Sequence, residues 1–266
     1  MAEPAGGPEA ASLTHRAAAV VPGSPSDRAN PHGSPHPAGG PGPEYYRSRR
    51  AEVTGRLPDP IGERVLDCGC GAGLVAASLR SRGARHLTGI EIVPEAAAEA
   101  RTRLDVVICG DALTSLASLP ATSFDLLLAY DVLEHLVDPA AVVRGLRRCA
   151  APGALLHVSV PNARSLILLS NLILRGTFGY DERGGLCDAT HLRWFTRRDI
   201  VALLQANGWR VTRVDFRLGR WGTLANVLSL GLLRDFIVGQ YSLCARPVAL
   251  PVPELAAAPA DGRAPR

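Results

Sequence analysis

The chain has 266 residues, of which 47% are hydrophobic, and its formal net charge is +4 at pH 7. This length suits one α/β domain with appendages, and the apolar fraction excludes a chain that is disordered throughout. The basic residues form no dense cluster, which argues against nucleic acid as the main partner.

Both ends of the chain have the composition of disordered segments. Residues 1–43 and 247–266 are rich in Ala, Gly and Pro and contain few large apolar side chains. Such segments cannot bury enough surface to offset the entropy that is lost on ordering. We therefore expect a disordered N-terminal arm, a domain over residues 44–246 and a disordered C-terminal tail.

The six cysteines and the first residues bear on the cellular compartment. Cys68 and Cys70 form a C-x-C pair with no second pair downstream, which is not the spacing of a zinc site. The stretch around Glu3 is acidic and lacks the apolar segment of an export signal. We expect a cytoplasmic protein with reduced cysteines and, because no apolar run reaches ~20 residues, no transmembrane span.

From Tyr45 onwards the elements follow in a regular order. A helix is expected from Tyr45 to near Pro58. Strands are predicted at 64–67, 86–91, 106–110, 124–129 and 155–160, and helices at 74–82, 94–104 and 139–149. Nearly continuous apolar strands that alternate with helices indicate a parallel sheet covered on both faces.

After residue 161 the alternation changes. An apolar helix is predicted at 166–174, and Thr196 with Asp199 forms a capping box that begins a helix reaching about Asn207. Two final strands are predicted at 209–216 and 240–246.

A glycine loop follows the first strand directly after Asp67. Glycines at 69, 71 and 73 leave room for the chain to turn into a helix while its backbone lies against a flat ligand. Their G-x-G-x-G spacing differs from the G-x-G-x-x-G of dinucleotide-binding loops. A carboxylate at this strand end would repel a pyrophosphate, so the loop favours a cationic ligand.

Two further acids follow the next two strands. Glu91 ends the second strand, 20 residues after Gly71, where it can accept both hydroxyls of a ribose. Asp111 follows the third strand, where it can receive an adenine amino group. Either acid alone is typical of a solvated strand end. Together with Asp67 on the carboxyl edge of one sheet they predict a nucleoside site.

Residues 67–73, Glu91, Asp111 and the stretch 124–136 resemble the successive motifs of class I S-adenosylmethionine-dependent methyltransferases. The resemblance extends over about residues 45–246. It implies a Rossmann-like, doubly wound α/β fold of three layers. Its seven-stranded sheet would have the order 3-2-1-4-5-7-6 with strand seven antiparallel.

The same resemblance implies S-adenosyl-L-methionine as the cofactor. The backbone of Gly69, Gly71 and Gly73 would then meet the methionine part of the donor, and Glu91 would hold its ribose. Asp111 and the backbone of Ala112 would hold the adenine. Tyr130 would lie near the sulfonium.

The second half resembles bacterial methyltransferases that act on sugars, glycans and secondary metabolites, through the stretch 188–196. The pair Glu134-His135 is similar to ubiquinone-pathway O-methyltransferases. These resemblances imply O-methylation of a small-molecule or sugar acceptor, and the apolar stretches 166–174 and 224–238 add a lipid-linked acceptor as a further possibility. Segments 163–195 and 217–239 would recognise the acceptor or cover the site. Their apolar parts would pack on the sheet, form a homodimer or touch a membrane surface.

Three residues are candidates for the chemistry of methyl transfer. A hydroxyl acceptor needs a base within hydrogen-bond reach, and His135 and His191 both follow segments expected at the carboxyl edge. Asp188 is expected to bond the second ring nitrogen of His191 and fix its tautomer. The alternative for each histidine is a structural role, bonded to nearby backbone or anchoring a lid. The sequence shows no spacing typical of a metal site, so no metal is expected.

Two other functions compete with methyl transfer. An NAD-type oxidoreductase is disfavoured by the glycine spacing and by Asp67. A non-catalytic protein that binds the donor would keep the glycine loop without a usable acceptor pocket, and this alternative stays open.

Overall fold

The computed structural model describes residues 54–180, 185–216 and 218–248. The expectations for the arm at 1–43, for most of the helix from Tyr45 and for the tail beyond residue 248 lie outside these residues.

The strands form one seven-stranded sheet in the order β3-β2-β1-β4-β5-β7-β6. β7 pairs antiparallel with β5 and β6, and the other neighbouring strands pair in parallel. This confirms the predicted sheet. The strands are β1 Arg64–Cys68, β2 His86–Glu91, β3 Val106–Cys109, β4 Phe124–Tyr130, β5 Ala150–Pro161, β6 Trp209–Phe216 and β7 Gln240–Pro247.

Eight helices connect these strands in the described part of the chain, together with two 3₁₀ turns, Leu79–Arg82 and Leu133–His135. The helices are α1 Leu74–Ser78, α2 Pro94–Ala100, α3 Ala112–Ser118, α4 Pro139–Cys149, α5 Leu166–Arg175, α6 Arg197–Ala206, α7 Arg220–Leu228 and α8 Arg234–Ile237. The predicted capping box of Thr196 and Asp199 is present at α6. Helices α3, α7 and α8 were not predicted.

Side chains that alternate along β4 supply cores on both faces of the sheet. Leu127 belongs to a buried cluster with residues of α3, α4 and α6. Leu126 and Leu128 belong to a second cluster with residues of α1 and α2. Apolar side chains on both faces explain the continuous hydrophobic runs of the central strands. The carboxyl ends of β1, β2 and β4 consequently meet at one sheltered edge.

Order continues slightly past the predicted end of the domain. β7 reaches Pro247, and the amide of Val248 donates to the carbonyl of Gly208 at 3.0 Å. The guanidinium of Arg147 donates to the carbonyl of Val248 at 2.5 Å. The residue that follows β7 is therefore hydrogen-bonded both to the turn before β6 and to α4.

The apolar segments of the second half are anchored to the domain through Asp235, and many of their large side chains are exposed. Asp235 in α8 pairs with Arg197 and accepts a hydrogen bond from the hydroxyl of Tyr241 at 2.8 Å. None of the helices in the described ranges is long and apolar enough to cross a membrane. The exposed large apolar side chains of this region are Leu166, Ile167, Leu172, Ile173, Leu174, Trp221, Leu224, Val227, Leu228, Leu230, Leu232 and Leu233.

Candidate active site

The glycine loop begins where β1 ends and is held by the neighbouring strand. The amides of Gly69 and Cys70 both donate to the carbonyl of Ile90, at 2.8 and 3.0 Å. Gly69 has φ of +76°, and a Cβ atom there would lie 2.3 Å from Cγ2 of Val132. A Cβ at Gly73 would lie 3.0 Å from Cγ of Leu104. The loop is thus packed too closely for side chains at either position.

Glu91 ties the end of β2 to this loop. Its Oε2 accepts a hydrogen bond from the amide of Gly71 at 2.8 Å, and its Oε1 accepts one from the amide of Val93 at 2.8 Å. The residue is 5% exposed. Each carboxylate oxygen has a second lone pair, so the fixed group can still accept ribose hydroxyls.

Asp67 lies beneath the loop and is 2% exposed. Its Oδ2 has no hydrogen-bond partner. Burial and then the nearby charge of Glu91 raise the pKa of this carboxyl from 3.8 to about 7, while the amide of Ala76 opposes the shift. Asp67 and Glu91 are two buried acids with few positive partners. This environment fits a cationic group, such as the ammonium of a methionine moiety.

Asp111 caps helix α3, which was not predicted. Its Oδ1 accepts hydrogen bonds from the amides of Leu113 and Thr114, at 2.9 and 3.0 Å. Ala112 is the first residue of the helix. The cap fixes the position of Asp111 just beyond β3. Its assignment to adenine stays a prediction.

Tyr130 ends β4 and is engaged with a buried histidine. Its hydroxyl lies 2.6 Å from Nδ1 of His157, and burial raises the pKa of this phenol well above 10.0. Burial, followed by the charge of Arg213, lowers the pKa of His157 to about 3. Tyr130 belongs to the same buried cluster as residues of α1, on the Asp67 side of the sheet. Its predicted place near the sulfonium remains a prediction.

The 3₁₀ turn after β4 meets the segment before α6 through the backbone. The carbonyl of Glu134 accepts hydrogen bonds from the amides of Leu192 and Arg193, at 2.8 and 2.9 Å. The guanidinium of Arg193 also donates to the carbonyl of Val137 at 2.6 Å. These bonds bring His191 beside the turn, although it lies far along the chain from His135.

Glu134, His135 and His191 form a compact polar cluster, the histidine cluster. The ring centroids of the two histidines are 4.8 Å apart, and Nε2 of His191 is 4.0 Å from Oε1 of Glu134. His191 is 8% exposed, and its Nδ1 is buried without a hydrogen-bond partner. Burial and then His135 lower its pKa, so this imidazole is neutral at pH 7.

Asp188 forms hydrogen bonds to Thr190, which in turn contacts His135, and none to a ring nitrogen of His191. Its Oδ1 accepts hydrogen bonds from the amide and the hydroxyl of Thr190, at 2.8 and 2.7 Å. The hydroxyl oxygen of Thr190 lies 2.9 Å from Nδ1 of His135. The prediction that Asp188 bonds a ring nitrogen of His191 is therefore wrong, because the tight turn at 188–190 directs this carboxylate to Thr190.

Sequence spacing also missed Glu134, since only the fold brings it to His191. One ligand atom from each member of the histidine cluster lies within 4.8 Å of the others. We expected no metal because the sequence shows no spacing typical of a metal site. Such spacing does not reveal three ligand groups that come from two remote segments.

Comparison with protein families decides the identity of the domain. Residues 42–214 match the family model described as "Methyltransferase domain". The chain belongs to the class I methyltransferase family. The cofactor that goes with this family is S-adenosylmethionine, and the buried acids beneath the glycine loop fit its cationic methionine part.

Curated methyltransferases share about a third of the matched residues. The "Ubiquinone biosynthesis O-methyltransferase" of Xanthomonas oryzae pv. oryzae is 34% identical over 144 residues, which cover 49% of this chain and 59% of that protein. The protein of the same name from Hahella chejuensis is 39% identical over 106 residues, covering 38% of this chain and 44% of its own. The chain thus spans about half the length of the curated relatives it matches.

Solved structures share the methyltransferase fold at lower identity. A SAM-dependent methyltransferase from Archaeoglobus fulgidus has a TM-score of 0.58 and 22% identity, covering 76% of this chain and 96% of its own. The cyclase SpnF has a TM-score of 0.50 and 21% identity, covering 77% of this chain and 80% of its own. One fold therefore serves more than one reaction, so the side chains of the site and not the fold determine the chemistry.

Proposed function

We propose that this methyltransferase moves a methyl group from S-adenosylmethionine to an oxygen atom of a small-molecule, sugar or lipid-linked acceptor. The observation that carries the proposal is the buried carboxylate of Asp67, whose Oδ2 lacks a partner beneath a close-packed glycine loop. An anionic ligand would be repelled by this carboxylate, whereas a cationic donor can both donate a hydrogen bond to it and balance its charge.

The donor is held by residues at three successive strand ends. Asp67 and the backbone of Gly69, Gly71 and Gly73 receive the methionine part, and Glu91 accepts the ribose hydroxyls. Asp111 and Ala112, at the capped start of α3, receive the adenine. The hydrogen bond from Gly71 to Glu91 couples ribose recognition to the shape of the loop.

The donor loop and the histidine cluster are neighbours. Gly69 packs against Val132, and Val132 lies in the same short segment as Glu134 and His135. A methyl group presented above the loop therefore faces the turn that carries the cluster. Holding an acceptor between them in line with the sulfonium supplies much of the rate enhancement, since the donor is already activated.

An acceptor hydroxyl must also lose its proton. As the new O–C bond forms, the C–S bond breaks and its electron pair stays on the sulfur, so the sulfonium becomes a neutral thioether. The histidine cluster can assist loss of the proton, because the half-buried ring of His135 and the buried ring of His191 lie together in the segment next to the donor loop. The Asp188–Thr190 pair fixes the orientation of His135.

The acceptor class is supported by the surface of the second half. Apolar side chains of α5 and α7 remain exposed, including Ile173 and Trp221. Such a surface suits a hydrophobic or lipid-linked acceptor, a second copy of the chain or the face of a membrane. The curated relatives named for ubiquinone biosynthesis support an O-methyl acceptor.

Two measurements test this proposal. Calorimetry should show saturable binding of S-adenosylhomocysteine and no comparable binding of NAD⁺. Incubation with a methyl-labelled donor and catechol as a probe acceptor should place the label on oxygen. Tight NAD⁺ binding would overturn the assignment of the nucleoside site. Donor binding with label recovered only on nitrogen of an amine probe would overturn O-methylation.

A further inference from the structure

The histidine cluster has the donor set of a metal site. Two imidazoles and one carboxylate offer ligand atoms that all lie within 4.8 Å of one another. The Nε2 of His191 is 4.0 Å from Oε1 of Glu134, which is too long for a hydrogen bond. Ligand bonds of about 2.0–2.2 Å place adjacent ligands roughly 3–3.5 Å apart, so a small contraction would close the three groups around an ion.

The hydrogen bonds of Thr190 determine which nitrogen of His135 carries the proton. The hydroxyl of Thr190 donates its single proton to Oδ1 of Asp188 at 2.7 Å. Toward Nδ1 of His135, at 2.9 Å, the same oxygen can only accept. The proton of His135 therefore lies on Nδ1, and Nε2 carries the lone pair. A carboxylate that holds a ligating histidine in this way, directly or through a hydroxyl, is typical of the surroundings of protein metals.

Charge and packing around the cluster suit a cation as well. Asp131, three residues before Glu134, acts electrostatically on His191 together with Asp188. The ring of Trp194 packs against His191 with centroids 5.4 Å apart, and Phe178 packs on Trp194 at 4.5 Å. Two acids and a pair of aromatic rings therefore act on His191, and nearby carboxylates favour a cation.

We infer that Glu134, His135 and His191 bind a divalent transition-metal ion, such as Zn²⁺, Mn²⁺ or Co²⁺, beside the donor. Mixed nitrogen and oxygen ligands favour these ions over Mg²⁺ and Ca²⁺, which prefer oxygen alone. Three protein ligands leave a coordination position for the acceptor.

The inference deepens the proposed methyl transfer and depends on it for its chemical role. An acceptor hydroxyl bound to such an ion has a lowered pKa and loses its proton to water. The oxygen then forms its bond to the methyl carbon while the C–S bond breaks onto sulfur. In this arrangement the two imidazoles are ligands, because a nitrogen that binds an ion cannot also take a proton.

Co²⁺ is a direct probe of the site, because its visible absorption reports ligation by imidazole. The full-length protein, freed of metal with a chelator, is titrated with Co²⁺ and then challenged with Zn²⁺. His135→Ala and His191→Ala remove ligands, and Thr190→Val removes the hydroxyl that orients His135 while retaining its shape. His86→Ala is the matched control, since His86 is exposed at the opposite end of β2. S-adenosylhomocysteine binding is measured for every variant as the check of folding.

The expected result is one equivalent of Co²⁺, displaced by Zn²⁺ and retained in His86→Ala. Affinity should fall at least ~10-fold in His135→Ala and His191→Ala, and roughly 10- to 100-fold in Thr190→Val. Equal binding in all variants would assign the ion to other histidines and overturn the inference. Absence of saturable binding would overturn it too, while retained S-adenosylhomocysteine binding would leave the proposed methyl transfer standing.

Discussion

Gly69 and Val132 are in contact so closely that no side chain fits between them. A Cβ atom on Gly69 would lie 2.3 Å from Cγ2 of Val132, and the backbone of Gly69 has φ of +76°. This contact joins the loop that receives the donor to the segment that leads into the histidine cluster. A change at Gly69 should therefore affect both halves of the active site.

Gly69→Ala is expected to lower donor affinity and stability together. The added methyl group must displace Val132, and overpacking of this kind typically costs about 1–3 kcal/mol. Gly83→Ala is the control, because Gly83 has φ of +101° with open space around its Cβ position. It carries the backbone strain without the clash. Thermal unfolding and calorimetry with S-adenosylhomocysteine measure the two effects. Equal donor affinity in both variants would contradict the coupling.

Glu91→Gln is expected to weaken donor binding by about 1.5–3 kcal/mol, or roughly ten- to a hundredfold. The amide loses the charge that strengthens hydrogen bonds from ribose. It also turns an NH₂ group toward the amide of Gly71 or Val93, both of which now donate to the carboxylate. Glu95→Gln, on the exposed side of α2, should bind the donor as the unaltered protein does. Unchanged affinity in a folded Glu91→Gln would remove Glu91 from the site.

Asp67→Asn is expected to change how stability depends on pH in the donor-free protein. The pKa of Asp67 is raised from 3.8 to about 7. Between these two pH values the folded state keeps a proton on Asp67 that the unfolded state has already released. Its contribution is present at low pH and is lost as the pH rises to about 7. The variant should therefore gain stability over the unaltered protein between pH 5 and pH 8, yet bind the donor more weakly. Urea unfolding at several pH values measures the first effect. Parallel pH curves for both proteins would refute the shifted pKa.

His157 should make the protein sensitive to acid. Burial, and after it Arg213, holds its pKa at about 3, so the folded state stays neutral while the unfolded state binds a proton below about pH 6.5. Its contribution is complete above that pH and is lost as the pH falls toward 3, with a slope of up to ~1.4 kcal/mol per unit. His157→Asn keeps an acceptor for Tyr130 and should flatten the slope between pH 6.5 and 4.5. The exposed change His86→Asn should not, and equal slopes in all three proteins would exclude His157 as the cause.

His191→Ala should separate a role in methyl transfer from a purely structural one. If the histidine cluster assists loss of the acceptor proton, turnover is expected to fall by about 10²–10⁴ with donor binding retained. Steady-state kinetics with the catechol probe provide the comparison. A raised KM with kcat nearly unchanged would instead assign His191 to anchoring the segment before α6.

Local sequence determined most of the fold. The apolar runs of β1, β2 and β4, the glycines after Asp67 and the capping box at Thr196 each act through neighbours within a few residues. Such signals are readable because backbone geometry and burial on both faces of a parallel strand restrict residue types at each position.

Tertiary structure alone decided what the polar groups do. Glu134 and His135 lie in a 3₁₀ turn after β4, while His191 lies before α6, and only the packing of that segment on the turn brings them together. The same packing directed Asp188 through Thr190 to His135. The pairing of β4 with β5 brought Tyr130 to His157. Hydrogen bonds of this kind form only when segments remote in sequence are positioned to within a few tenths of an ångström. No spacing along the chain encodes them, because the sheet order that sets them is a property of the whole domain.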